Sequence, residues 1–269
     1  MSFLDEMIYE SARGYVRAAQ DESLRRPIAV RLCAAGTGKA GRDSLVARAH
    51  LLERARGPGV PVVLGMPHSA DGEVGLAMPR FRGDSLWRIR KRAKDALQAP
   101  FVQFSARPFR RAAESLLFAI ARAHAAGVVH GGINPARILW GGEDGLTLLG
   151  WGCAGESGAP MRIDRSLYPE TAPEGEPVLI NPAGWPGAVG FTAPEWLAGS
   201  RAKFAPTADV YAAAATLWFL WTGSLPGTDG EEPPPGLAQV LRRALDMDAA
   251  NRPADGGRLF RQVIAQLDA

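Results

Sequence analysis

The stretch Ala123-His124-Ala125-Ala126-Gly127-Val128-Val129-His130-Gly131-Gly132-Ile133-Asn134-Pro135-Ala136-Arg137-Ile138-Leu139 decides how this chain reads. Its first residues close an amphipathic helix. From Phe109 to Ala126, the residues Ala113, Leu116, Leu117, Ile120, Ala121 and His124 recur along one side, and Gly127 stops the run. Its last residues open a β-hairpin: Ile138-Leu139-Trp140 pairs with Leu146 to Leu149 around the turn Gly141-Gly142-Glu143-Asp144-Gly145.

Upstream, residues 1 to about 82 hold short strand-like runs at Tyr15 to Arg17, Ile28 to Leu32, Val60 to Gly65 and Val74 to Met78. One helix interrupts them, capped at Asp43-Ser44 and carrying Leu45, Ala49 and Leu52 at helical spacing to about Arg56. From Asp84 onward the pattern is mainly helical, with further helices at Thr207 to Thr222, Gly236 to Leu245 and Asp255 to Leu267. Residues 153 to 191 are rich in glycine and proline and read as one long loop. The expectation is an α+β fold of two lobes in one domain, 1–269. A small β-rich lobe with one helix spans 1–82 and a larger helical lobe spans 83–269.

Composition narrows the function classes. The chain has 269 residues, 46% hydrophobic and 22% charged, which is ordinary for a globular domain. A formal net charge of +3 leaves no concentrated basic stripe of the size that nucleic-acid binding as the main task requires. Cys33 and Cys153 make neither a disulfide framework nor a metal-ligand spacing. The opening MSFLDEMIYE carries acids where a signal peptide carries positive charge. The longest apolar run, Val210 to Trp221, is too short for a membrane span. The expected setting is cytoplasmic, and the arginine-, alanine- and glycine-rich composition suggests a bacterial genome. Two glycine motifs are decoys. Gly36-Thr37-Gly38-Lys39-Ala40 has alanine where a phosphate loop needs a hydroxyl, and Gly150 to Gly155 runs into Glu156-Ser157-Gly158-Ala159-Pro160, which opens no helix.

The stretch 123–139 resembles the catalytic-loop region of protein kinases, His-Arg-Asp-x-Lys-Pro-x-Asn-Ile-Leu after a helix ending in His-x-x-Gly. Other landmarks follow in order. Gly14-Tyr15-Val16 resembles the end of the glycine-rich loop, and Ile28-Ala29-Val30-Arg31 resembles the Val-Ala-Ile-Lys strand. Gly150-Trp151-Gly152 stands where Asp-Phe-Gly is expected, and Ala193-Pro194-Glu195 is the Ala-Pro-Glu motif unchanged. Asp209-Val210-Tyr211 resembles the start of the large lobe's central helix, and Asn251-Arg252-Pro253 resembles the late arginine motif. The resemblance covers essentially the whole chain, and the bacterial Ser/Thr kinases are nearest in flavour.

The departures sort by role. In the family the catalytic-loop Asp accepts the substrate hydroxyl's proton and an Asn and an Asp hold magnesium. Here those positions are Gly132, Arg137 and Gly150. The phosphate-contacting Lys is Arg31, and its helical Glu partner aligns with Arg48, a shifted alignment offering Glu53. Asn134 replaces the second catalytic-loop Lys, and Tyr9 and Ser11 replace two glycines of the phosphate-covering loop. Gly131 replaces the arginine that reads a phosphorylated activation loop. No other carboxylate offers itself: Glu143 and Asp144 lie in the hairpin turn, and Asp164 lies unanchored on the long loop.

What the resemblance implies is therefore a pseudokinase, not an enzyme, with no catalytic residues and no metal site. The retained residues are structural: a buried Glu195–Arg252 ion pair, Asp209 holding the backbone at His130-Gly131, and His130 packed with Trp151. An adenine slot is chemically possible between Val16 and Ala29 above and Leu139 below, with Met78 as gatekeeper and Phe81 in the hinge, and Arg31 near the phosphates. The opposing reading has Arg137, Arg31 and Tyr9 filling the cleft. No cofactor is expected beyond metal-independent ATP at most. The expected partner is another protein, such as a signalling kinase, phosphatase or effector, bound by a scaffold or allosteric regulator, with no nucleic acid and no membrane span. Candidate surfaces are Tyr168, Ile180 and Trp185 in the long loop and the arginine-rich stretch Arg80 to Lys94, whose bland reading is a solvated helix face. The alternative is an ATP-binding atypical transferase, a non-conventional kinase or nucleotidyl transferase, working through a rearranged cleft.

Overall fold

The computed structural model describes residues 2–11, 14–33, 38–69, 73–95, 106–141, 145–161, 178–180, 186–188, 190–197, 203–228 and 231–269. The chain begins with an antiparallel sheet, β1 (Ser2–Ser11), β2 (Gly14–Asp21), β3 (Arg26–Cys33) and β4 (Gly75–Pro79), in that spatial order. Side-chain alternation in β3 decides what each face does. Ile28, Val30 and Leu32 bury on one face with Ala19 and Ala77, against Phe3, Tyr15 and Leu64. Ala29, Arg31 and Cys33 therefore point the other way. There the Cys33 thiol donates to the Gly41 carbonyl of α1 (Gly38–Ala55) at 3.2 Å. That helix buries Gly41, Leu45, Ala49, Leu52 and Ala55, the three-and-four spacing of one helical face.

Three expectations for this region change. Residues 2–11 form β1, which pairs with β2 through two register shifts, between Phe3 and Met7 and between Met7 and Tyr9. The helix starts at Gly38, ahead of the Asp43-Ser44 pair expected to cap it. Residues 60–65 make no continuous strand; they meet β4 at the isolated bridge of Gly65 to Ala77, where the Leu64 amide donates to the Ala77 carbonyl at 2.8 Å, and a second bridge, His68 to Val74, follows beyond them. Pro61 and Pro67 have no N–H to donate to a ladder, so the pairing stays broken.

β5 (Asp84–Ser85) leaves that sheet behind and pairs with β7 (Ile138–Trp140), which pairs with β8 (Leu146–Leu148). Between them lie α2 (Leu86–Asp95), α3 (Ala106–Ala125) and β6 (Val128–Val129). Within residues 153–191, expected as one loop, the described parts contain β9 (Gly155–Glu156), paired with β6, and a small hairpin of β10 (Val178–Ile180) and β11 (Pro186–Ala188). Then come α4 (Pro194–Leu197), α5 (Pro206–Thr222), α6 (Pro235–Ala244) and α7 (Gly256–Leu267).

The main core joins α1, α3, α5, α6 and α7 through Leu52, Leu116, Ile120, Leu217, Leu241 and Val263. Each such side chain, once buried, contributes ~1.5–3 kcal/mol. α5 is apolar nearly all round, as a helix in the middle of a core must be. α3 and α7 run antiparallel: Arg110 Nη1 donates to the Leu267 carbonyl at 3.2 Å near one end, and the Gly256 amide donates to His124 Nδ1 at 2.9 Å near the other. Gly256 makes this crossing possible, since a Cβ there would lie 2.7 Å from Ile120 and 2.9 Å from the Ala121 amide nitrogen. No helix among the described residues is long and apolar enough to cross a membrane.

The arginine-rich stretch is only partly a solvated face. Trp87 stacks on Phe219 with ring centroids 5.2 Å apart. Arg90 is 5% exposed and donates to the Trp221 carbonyl at 3.4 Å, placing its charge at the carboxyl end of α5. Burial holds its guanidinium below the usual arginine range. Tyr168 and Trp185, like Glu143, Asp144 and Asp164, lie outside the described residues.

Candidate functional site

Asp209, on the first turn of α5, organises the loop between β6 and β7. Its carboxylate is 1% exposed and accepts from the His130 amide at 2.6 Å and the Gly131 amide at 2.9 Å. It also accepts from His124 Nε2 at 3.1 Å. Because His124 Nδ1 accepts from the Gly256 amide, its ring proton sits on Nε2 and points at Asp209. Burial alone would push the Asp209 carboxyl up; the hydrogen bonds from His124 and the Gly131 amide outweigh it and hold the group below its ordinary value. The tie to His124 was missed in the sequence, where that histidine reads only as one more residue on a buried helix face.

His130 occupies a second buried socket. Its ring meets Trp151 edge-on, centroids 4.7 Å apart at 73°. Nε2 faces the Leu149 carbonyl at 2.9 Å while Nδ1 accepts from the Gly132 amide at 3.2 Å, an arrangement that suits the neutral ring. Burial, aided by the Arg137 charge and opposed by Asp209, pushes its pKa down to about 4. Trp151 is anchored by its indole N–H, which donates to the Leu148 carbonyl at 2.7 Å. Asn134 folds back on the loop: its side-chain oxygen accepts from the Ala136 amide at 3.0 Å and its amide donates to the Gly132 carbonyl at 3.3 Å. Further out, Arg252 and Glu195 form a two-pronged ion pair at 2.8 and 2.9 Å.

The centre of the site is the Arg137 side chain. Its Nη1 donates to the Gly132 carbonyl at 3.2 Å and lies 3.5 Å from the Cys153 sulfur. A Cβ placed on Gly132 would overlap that guanidinium. One on Gly150, whose φ is +89°, would sit 2.5 Å from Arg137 Cδ. Arg137 thus threads between two glycines and occupies the space that side chains at 132 and 150 would need. Arg48 makes the same kind of approach from α1: a Cβ on Gly152 would lie 2.9 Å from its Nη2. Glu53, the other alignment for that position, is on the exposed side of α1 and faces Arg56 at 3.7 Å.

Gly132, Arg137 and Gly150 supply no side-chain oxygen, so this donor set does not fit magnesium, which needs oxygen ligands. Among the described residues no three His, Cys, Asp or Glu side chains gather as a metal site. Gly131 has φ +74°, and a Cβ on it would overlap the Cys153 carbonyl, so the loop backbone itself excludes a larger residue there. The hollow beside the loop, between Gly132, Asn134, Phe191, Trp196 and Asp209, holds about 20 Å³, room for one water.

The sheet places four of the proposed slot residues on neighbouring strands. Val16 lies opposite Arg31 and Ala29 opposite Met78, on neighbouring strands. Phe81 lies two residues beyond the end of β4, and Leu139 sits on β7, opposite Thr147. The side chains of Tyr9 and Ser11 are outside what is described.

No protein-family model matches this chain, and no curated protein does. Solved structures do match. The kinase domain of Mycobacterium tuberculosis PknI, carrying one cysteine-to-alanine substitution, aligns over 99% of this chain and 97% of that one with a TM-score of 0.64 at 20% sequence identity. This chain has a bilobal protein kinase-like fold.

Proposed function

We propose that this chain is a pseudokinase: a kinase-like domain without phosphoryl transfer, which acts by binding another protein as a scaffold or allosteric regulator. The observation that carries the reading is the course of Arg137, whose guanidinium lies where the proton-accepting and metal-holding carboxylates of the fold would stand. A general base contributes ~10²- to 10⁴-fold to such a reaction, and the metal adds to that. Gly132, Arg137 and Gly150 can supply neither. The fold-holding contacts of Asp209, His130, Glu195 and Arg252 are meanwhile intact. Retention of the scaffold beside a cation-filled centre supports a role in binding. Any nucleotide held between Val16, Ala29, Met78 and Leu139 would meet arginines in place of metal, and its binding would be independent of magnesium.

The test is incubation with labelled ATP and either magnesium or manganese, with casein as acceptor. No label above that of a heat-denatured control is expected in the chain itself or in casein. Label transfer that Arg31→Ala abolishes would replace this reading with that of an atypical transferase.

A further inference from the structure

We propose that the outer face of the α3–α7 pair is a docking site for an acidic protein segment carrying an apolar anchor. The inference deepens the protein-binding reading above by naming the partner's chemistry, and it rests on that reading. On α3 the residues Arg107, Arg111, Ser115, Phe118 and Arg122 follow the spacing of one helical face. Arg107, Arg111, Phe118 and Arg122 are exposed. At 1.5 Å per residue this stripe is about 22 Å long, the reach of some seven residues of extended chain. Arg261 of α7 is exposed near the crossing of the two helices, where a Cβ on Gly257 would lie 3.8 Å both from Arg261 Nη1 and from Ala121 of α3; Arg258, one turn earlier on α7, is exposed as well.

Two features make this face unlike an ordinary solvated one. The first is uncompensated charge. Both nearby carboxylates of Glu114 and Asp268 are held by Arg110, at 2.8 and 2.6 Å, and Asp255 accepts from the Arg258 amide as a helix cap at 2.8 Å. Among the described residues, Arg107, Arg111, Arg122, Arg258 and Arg261 meet no carboxylate. The second is an apolar hold in the middle of the stripe. Phe118 is 41% exposed, supported edge-on by Phe260 at 6.4 Å. It forms one wall of a groove of about 320 Å³, closed by Pro58, Glu114, Ser115 and Leu146, with the Glu114 carboxylate already taken by Arg110. Gly59 keeps the floor tight, because a Cβ there would lie 3.1 Å from Ala119. An acidic segment satisfies the arginines, and one apolar side chain of it fills the groove against Phe118. Single-stranded nucleic acid would need a series of aromatic platforms for successive bases, and this stripe offers one.

The test uses the full chain and fluorescence anisotropy with three probes. They are a twelve-residue Asp/Glu peptide with a central Leu-Leu pair, the same peptide with Ser-Ser at its centre, and a twelve-nucleotide oligothymidylate. The Leu-Leu peptide is expected to bind, more weakly as salt rises, and about tenfold more tightly than the Ser-Ser peptide. Arg111→Glu and Arg122→Glu, both at exposed positions, should each lower its affinity about tenfold, and Phe118→Ala should remove the preference for Leu-Leu over Ser-Ser. Absence of peptide binding, affinity indifferent to both charge reversals, or tighter binding of the oligothymidylate that ignores Phe118→Ala would each overturn the proposal. The labelled-ATP experiment is independent of this one: label transfer defeats the pseudokinase reading whatever the peptide does, and a silent peptide defeats only the docking site.

Discussion

Replacing Arg252 by alanine removes the most connected side chain of the helical lobe. Its guanidinium is fully buried and makes a two-pronged ion pair with Glu195. It also donates to the carbonyls of Asp246 at 2.7 Å, Thr207 at 3.1 Å and Met247 at 3.4 Å, and lies 5.0 Å from the centre of the Tyr211 ring. It therefore ties the turn before α7 and the first turn of α5 to α4. Removing one partner of a buried ion pair costs ~3–5 kcal/mol, because the other group and its acceptors are left without donors. Glu195 is 31% exposed and can recover some hydration, which favours the lower half of that range for the pair. The three carbonyls, which lose their donor as well, push the other way. At ~2–4 °C per kcal/mol for a domain of this size, Arg252→Ala should melt ~6–20 °C below the parent or fail to stay soluble. Glu195→Gln keeps the carbonyl contacts of Arg252 and should cost distinctly less. Thermal melts followed by circular dichroism compare the three proteins. A soluble Arg252→Ala with an unchanged midpoint would refute the reasoning.

Acid should weaken the fold through His130. Its folded pKa of about 4 lies below the ordinary value of 6.5, so protons bind the unfolded chain preferentially. The stabilisation is complete above pH 6.5 and is lost as pH falls toward 4, by ~3 kcal/mol in all; urea melts between pH 7 and pH 4 should show that slope, and His130→Phe should flatten it. Gly131→Ala should destabilise by ~1–2 kcal/mol from its left-handed backbone alone, with more from overlap with the Cys153 carbonyl, measured by denaturant midpoint. Restoring Gly150→Asp should pair the new carboxylate with Arg137 and create no magnesium affinity; a magnesium-dependent rise in melting temperature should require Arg137→Asn as well, and its appearance in the single variant would contradict the role given to Arg137.

Much of the fold was legible because its anchors are single residues with one available partner. Asp209, Glu195 and Arg252 sit where the sequence motifs put them, and their contacts follow from those motifs. β1 was not legible: Ser2–Ser11 pairs with two register shifts, so no clean alternation marks it. The strand expected at 60–65 failed for the opposite reason, an apolar run whose prolines break the ladder. At the site, the three departures from the kinase pattern are readable in the sequence as Gly132, Arg137 and Gly150. That the arginine fills the space of both glycines depends on side-chain direction, which spacing does not encode. The Phe118 face was hidden similarly, since an exposed aromatic reads like a buried one until the neighbouring helix is placed.

In the proposed pseudokinase, Arg137 has taken over the space of a metal-dependent reaction centre. Calorimetric titration of ATP into the protein, once with magnesium and once with EDTA, tests it most directly. The same result is expected in both buffers, whether that is no heat or a common affinity. Binding that appears only with magnesium would contradict it.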